Sequence, residues 1–154
     1  MERVPDQDLR GFFVLPQAPE EAAYYTYGTP EGGAGQYAHP RMLTFIILLE
    51  HKWGVADDRK IGIGNVSLFG GAKPRDHQGH KSGLEVDIRA LRKDGRQIPV
   101  SHTDRYYDQT ATRRMVEVMW QTGMVTRIFF NDMTIPRVQR RVDHDNHLHV
   151  EVIA

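Results

Sequence analysis

Apolar and polar positions along this chain switch between two periods, and the switches mark its elements. From 40 to 53 the apolar residues Met42, Leu43, Phe45, Ile46, Leu49 and Trp53 recur at helical spacing. Pro40 suits the first turn of that helix and Gly54 its stop. The apolar face is broad, which predicts a central, well-buried helix. A second helix is predicted over 109–122, with Ala111, Met115, Val118 and Met119 as its stripe, Asp108 as its cap and Gly123 at its end.

Other segments alternate with period two. Over 84–90, Leu84, Val86 and Ile88 face one way, and Glu85, Asp87 and Arg89 the other. Over 147–152, His147, His149 and Glu151 share one face, and Leu148, Val150 and Val152 the opposite one. Val125 to Phe130 reads as a short strand. Ile61 and Ile63, with glycine between, predict a strand that other backbone approaches closely. The pair Gly62-x-Gly64 does not make a dinucleotide loop, because Ser67 stands at the third glycine position and 68–79 lack a helical pattern.

Between these elements lie polar or glycine-rich stretches at 67–83, 93–96 and 131–146. Residues 1–36 have weak periodicity, and 27–33 read as loop. Tyr24, Tyr25 and Tyr27 are expected to pack on the body rather than line a groove. Strands, helices and long loops are interspersed. This predicts a single α+β domain: a small, mostly antiparallel sheet flanked by helices and long loops.

Composition narrows the function classes. The 154 residues carry 20 Lys plus Arg against 20 Asp plus Glu, so the basic footprint needed to bind nucleic-acid phosphates is missing. Arg137, Arg140 and Arg141 read as a solvated turn. With no cysteine, disulfides, thiolate metal sites and cysteine nucleophiles are excluded. No apolar run nears the ~20 residues of a membrane span. The opening Met1-Glu2-Arg3-Val4-Pro5-Asp6 has no signal-peptide apolar region.

The eight histidines are the unusual feature, five of them lying within 77–80 and 144–149. His80-x6-Asp87 and His147-x-His149 carry the candidate chemistry. Asp87 lies on the polar face of one apolar strand, and the two histidines share one face of another. If those strands pair, an Asp and an imidazole come within a few ångströms, and His80, in the loop entering the first strand, has the reach to fold back. Two imidazoles and one carboxylate match the three protein ligands of a catalytic zinc site, which leaves one position open. Soft metals want sulfur, and magnesium or calcium want more oxygen. One Zn2+ per chain is therefore expected, with cobalt or manganese able to substitute. The free histidine of the pair and His144 are candidates for moving protons. Glu85 either orients a ligand or is plain surface.

The runs Gly79-His80-Lys81-Ser82-Gly83-Leu84-Glu85-Val86-Asp87-Ile88 and Asp143-His144-Asp145-Asn146-His147-Leu148-His149-Val150 resemble the penicillin-insensitive murein endopeptidases. These belong to a wider zinc peptidase group with the lysostaphin-type enzymes, the D-Ala-D-Ala peptidases and the hedgehog signalling domain. The narrower resemblance adds His77, His144, Tyr27-Gly28-Thr29-Pro30 with His39-Pro40, and Arg127-Ile128-Phe129-Phe130-Asn131. The matches run from about 27 to 152. They divide the chain into an N-terminal extension over 1–26, packed on the body, and a zinc peptidase domain over 27–154.

The resemblance implies zinc on His80, Asp87 and His149, with His147 as general base or oxyanion stabiliser and His144 assisting. It implies that His77 and Glu85 lie near the site, toward substrate or behind a ligand. The implied reaction is hydrolysis of the D-Ala–meso-diaminopimelate crosslinks of peptidoglycan, in the periplasm or on the cell wall, insensitive to β-lactams. A D,D-dipeptidase or carboxypeptidase of the same group is the alternative, and a non-catalytic zinc-containing binding module is another. Neither nucleic acid nor membrane insertion is expected. Two positions depart from the family pattern: Gly79 and Glu85 stand where Ser and Asp are expected. The family's signal peptide and cysteines are also absent. A truncated chain, a phage lysis enzyme or an effector secreted against a competitor would fit, the last with an immunity or delivery protein as partner.

Overall fold

The computed structural model describes residues 3–17, 19–73 and 79–154. In chain order the elements are β1 (Phe13–Val14), β2 (Tyr24–Thr26), β3 (Tyr37–Ala38), α1 (Pro40–Ala56), β4 (Ile61–Ile63), β5 (Glu85–Arg89), α2 (Gln109–Gln121), β6 (Val125–Phe129) and β7 (His147–Val152). Five strands form the main sheet in the order β2-β4-β5-β7-β6, while β1 and β3 make a separate antiparallel pair. Within the main sheet only β2 and β4 are parallel. The fold is thus α+β with a mostly antiparallel sheet, as the alternation predicts.

Period-two alternation gives the sheet two unlike faces. Val86, Ile88, Ile128, Leu148 and Val150 are buried in one apolar cluster with Met42, Phe45, Ile46, Leu49 and Trp53 of α1 and Ala111, Met115 and Met119 of α2. Burying each of these larger side chains is worth about 1.5–3 kcal/mol, so this face holds the layers together. The polar residues of β5 and β7 are left on the other face.

His39 opens α1, its Nδ1 accepting the Arg41 N–H at 3.1 Å. Asp108 opens α2, its carboxylate accepting the Ala111 N–H at 3.0 Å. The first helix does not stop at Gly54 but runs two residues further to Ala56, where Asp57 caps it. Arg59 joins the two helices: it donates to Asp57 at the end of α1, to Asp108 at the start of α2, and to the Arg92 carbonyl. Tyr24 packs in the core as expected, but Tyr25 and Tyr27 lie half-buried on the polar side. Among the described residues no helix is long and apolar enough to cross a membrane.

Candidate functional site

The pairing of β5 with β7 sets the site. Asp87 stands opposite His149, Glu85 opposite Glu151 and Arg89 opposite His147. Directly opposite side chains on one face have Cβ atoms about 4.5–5.5 Å apart. His80 reaches the same point from the loop before β5. Its backbone lies in the left-handed region (φ 60), a conformation that costs a non-glycine residue of order 1–3 kcal/mol and recurs at functional sites.

The three groups are 4 %, 8 % and 4 % exposed for His80, Asp87 and His149, and one ligand atom from each lies within 4.8 Å of the others. His80 Nε2 is 3.2 Å from Asp87 Oδ1, and His149 Nδ1 is 3.3 Å from the same oxygen. Ligand atoms held tetrahedrally at zinc-like bond lengths are themselves about 3.3 Å apart.

Hydrogen bonds on the far side of each ring decide which nitrogen faces inward. His80 Nδ1 lies 3.1 Å from the Val66 carbonyl, so it carries the proton and donates. His149 Nε2 lies 3.2 Å from Glu85 Oε1, so it does the same. In the neutral rings, His80 Nε2 and His149 Nδ1 then aim lone pairs at an acceptor-only carboxylate oxygen. Three acceptors converging on one buried point need a cation between them, either a proton or a metal ion. Without metal, the protein supplies a proton. Burial would lower the His149 imidazole, but hydrogen bonds to Asp87 and Glu85 outweigh it and push it up to about 9. Burial likewise raises Asp87, but hydrogen bonds from His149 and His80 win and hold it well below the usual carboxylate range. The donor set, spacing and tautomers fit a divalent ion, and these residues could hold one.

Glu85 is not plain surface. Its Oε1 meets His149 Nε2, and its Oε2 accepts the His80 backbone N–H at 2.7 Å. One carboxylate thus orients the His149 imidazole and fixes the His80 backbone, the kind of outer support found behind metal-bound histidines. The His149 hydrogen bond, first, and the His80 N–H hold Glu85 down to about 2 despite partial burial. Glu151 Oε1 also lies 3.6 Å from His149 Nε2, and its other oxygen is held by Arg127 at 2.9 Å. Glu85, His149 and Glu151 form a second group with metal-like spacing. The Nε2 proton shared with Glu85 makes it the outer support of the first group.

His147 Nε2 lies 3.9 Å from Asp87 Oδ1, and its Nδ1 bonds the Asn146 side-chain oxygen at 2.8 Å. His144 Nδ1 donates to the Val142 carbonyl at 2.7 Å, and the two rings sit 4.7 Å apart. In both residues Nε2 is the free, basic nitrogen. Burial, helped by neighbouring histidines, lowers both below the ordinary value, so both are neutral at pH 7. The loop bearing His144 is pinned by Asn131, which donates to Asp145 and accepts from the Arg141 N–H. A cavity of about 490 Å3 opens over the cluster, lined by His80, Glu85, Asp87, His144, His147 and His149, with Arg141 at its side. Arg137, Arg140 and Arg141 are all exposed, as a solvated turn predicts, and Arg141 stands beside this cavity.

The structure brings His80, Asp87, His149, His147, His144 and Glu85 together. His77 lies outside the described residues. Sequence reasoning missed the Val66 carbonyl, which as a backbone group leaves no trace in residue type. It also missed Asn146, whose place beside His147 was a usable signal. No protein-family model matches the chain, and no curated protein matches it.

Proposed function

We propose that this chain is a zinc-dependent endopeptidase that hydrolyses the D-Ala–meso-diaminopimelate crosslinks of bacterial peptidoglycan, acting in the periplasm or on the cell wall. One observation carries the reading: His80 Nε2 and His149 Nδ1 lie 3.2 and 3.3 Å from one buried Asp87 oxygen, beside the further histidines His147 and His144. The choice of zinc rests on the donor set of two nitrogens and one oxygen. The choice of substrate rests on the motif resemblance around His80, Asp87, His144, His147 and His149.

His80, Asp87 and His149 would hold the ion. Bound there, zinc supplies a Lewis acid and brings the pKa of water toward about 7. His147 Nε2, neutral and free on the cavity side, accepts a proton from the attacking water. The proton taken up on His147 passes to the leaving amine as the C–N bond breaks, and His144, packed against His147 with its own Nε2 unprotonated, assists as a second proton acceptor. Asn146 and the Val142 carbonyl keep the two rings in the tautomer this needs.

The test is a digest of purified sacculi by zinc-loaded protein, resolved by chromatography. Dimeric muropeptides should fall and monomers rise, and a chelator should stop this until zinc is restored. Intact dimers after digestion would overturn the proposal. Faster cleavage of free D-Ala-D-Ala than of crosslinks would replace it with a D,D-dipeptidase.

A further inference from the structure

We infer that Arg89, stacked on Tyr27 beside the metal cluster, is a subsite for a carboxylate of the peptide substrate. The identity of the peptide rests on the endopeptidase reading; the anion rests on the geometry alone.

Arg89 follows Asp87 by two residues on β5, so both leave the same face of the sheet, about 6–7 Å apart along the strand. Its partner across the strand pair is His147. The guanidinium lies 3.9 Å from the Tyr27 ring centre and 5.9 Å from that of Tyr25. Nη1 donates to the Gln97 carbonyl at 3.1 Å and to the Tyr25 hydroxyl at 3.4 Å. Nε and Nη2, the edge that grips a carboxylate with two parallel bonds, have no hydrogen-bond partner among the described residues. Arg10, Arg59, Arg92 and Arg127 each pair with a carboxylate. Half-buried Arg89 has none among the described residues.

Gly62 of β4 and Gly64 just beyond it build the platform. A Cβ on Gly64 would sit 2.5 Å from Tyr27, and one on Gly62 would sit 2.7 Å from the Tyr25 hydroxyl and 3.2 Å from Arg89 Cδ. The Gly62-x-Gly64 pair thus lets both tyrosines lie across the strand and support the guanidinium. Arg89 and Tyr27 border a cavity of about 510 Å3. Of its other walls, the Gln36 amide nitrogen is spent on the Tyr27, Ile63 and Gly64 carbonyls, and that of Gln17 on Leu15 and Gln36. Glu31 lies at the exposed rim, which leaves Arg89 as the cation within. In a D-Ala–diaminopimelate crosslink, the carbon bearing the scissile nitrogen also bears a carboxylate. This cavity shares no lining residue with the one over the cluster, but Arg89 stands directly opposite His147 across β5 and β7, so a peptide lying across that pair would bring the carboxylate to Arg89.

The probe is a peptide whose diaminopimelate is N-acetylated at that centre, compared with the same peptide carrying a carboxamide in place of the carboxylate. Calorimetry on zinc-loaded protein should find the acid bound roughly ten- to a hundredfold tighter than the amide. Arg89→Gln should bring the ratio near one, and Arg89→Lys should keep part of it. A wild-type ratio near one, binding of neither peptide, or a ratio undiminished in Arg89→Gln overturns the subsite. Should Arg89→Gln not fold, Arg89→Lys decides, and an acid preference undiminished in that variant overturns the subsite. Acid preference without cleavage of sacculi keeps the subsite and defeats the peptidase reading; cleavage without acid preference does the reverse.

Discussion

Gly79 and Glu85 share one space: a Cβ on residue 79 would lie 3.2 Å from Glu85 Oε1 and 3.4 Å from Oε2. These are the two positions that depart from the resembled pattern, where Ser and Asp are expected. The departures compensate: the smaller residue at 79 makes room for the longer acid at 85, which reaches both His149 and the His80 N–H.

That coupling predicts a double-mutant result. Gly79→Ser should crowd Glu85 and weaken zinc binding, and Glu85→Ala should cost about 10–100-fold in affinity, as loss of a partner behind a metal ligand does. Gly79→Ser with Glu85→Asp should bind zinc better than Gly79→Ser alone. Competition against a chromophoric chelator measures all of these. Strictly additive effects would show that the two positions are independent.

His147→Ala should keep its zinc and lose about 10²–10⁴-fold in kcat on crosslinked muropeptides. His147 contacts the cluster only at 3.9 Å and lies outside the group with ligand spacing. Loss of zinc from this variant would make His147 a ligand instead of a base.

The Arg59 clamp predicts a pH-dependent stability. The Arg59 hydrogen bond holds Asp57 below its ordinary value against burial. Burial raises Asp108, but the Ala111 N–H and Arg59 outweigh it, and its value also falls. Carboxyls depressed in the folded state contribute stability above their unfolded value of about 3.9 and lose it as pH falls through the folded values. Arg59→Ala should therefore cost about 2–3 kcal/mol at pH 7, and the gap to wild type should close below about pH 4. Thermal melts of both proteins from pH 7 to pH 2 check this. A gap unchanged at pH 2 would assign the role of Arg59 to packing.

Much of this was legible because long elements carry a period. Residues 109–122 and 147–152 repeat often enough to read, and alternation alone put Asp87 and His149 on polar faces. The strands at 13–14, 24–26 and 37–38 are too short for any period, and their pairing depends on partners distant in sequence. Gly54 read as a stop because glycine favours helix ends. In the fold it stays helical where α1 approaches the N-terminal segment, and a Cβ there would lie 3.1 Å from that of Ala23. Glu85 was legible only as far as its face. Its hold on His149 depends on the register between β5 and β7, which no local pattern encodes.

The central claim, that His80, Asp87 and His149 jointly grip one divalent ion, is tested most directly by elemental analysis after equilibrium dialysis against buffered zinc. The account predicts one zinc per wild-type chain and none in Asp87→Ala or His149→Ala, with circular dichroism showing both variants folded. Wild-type protein that binds no zinc, or folded variants that keep a full equivalent, would contradict it.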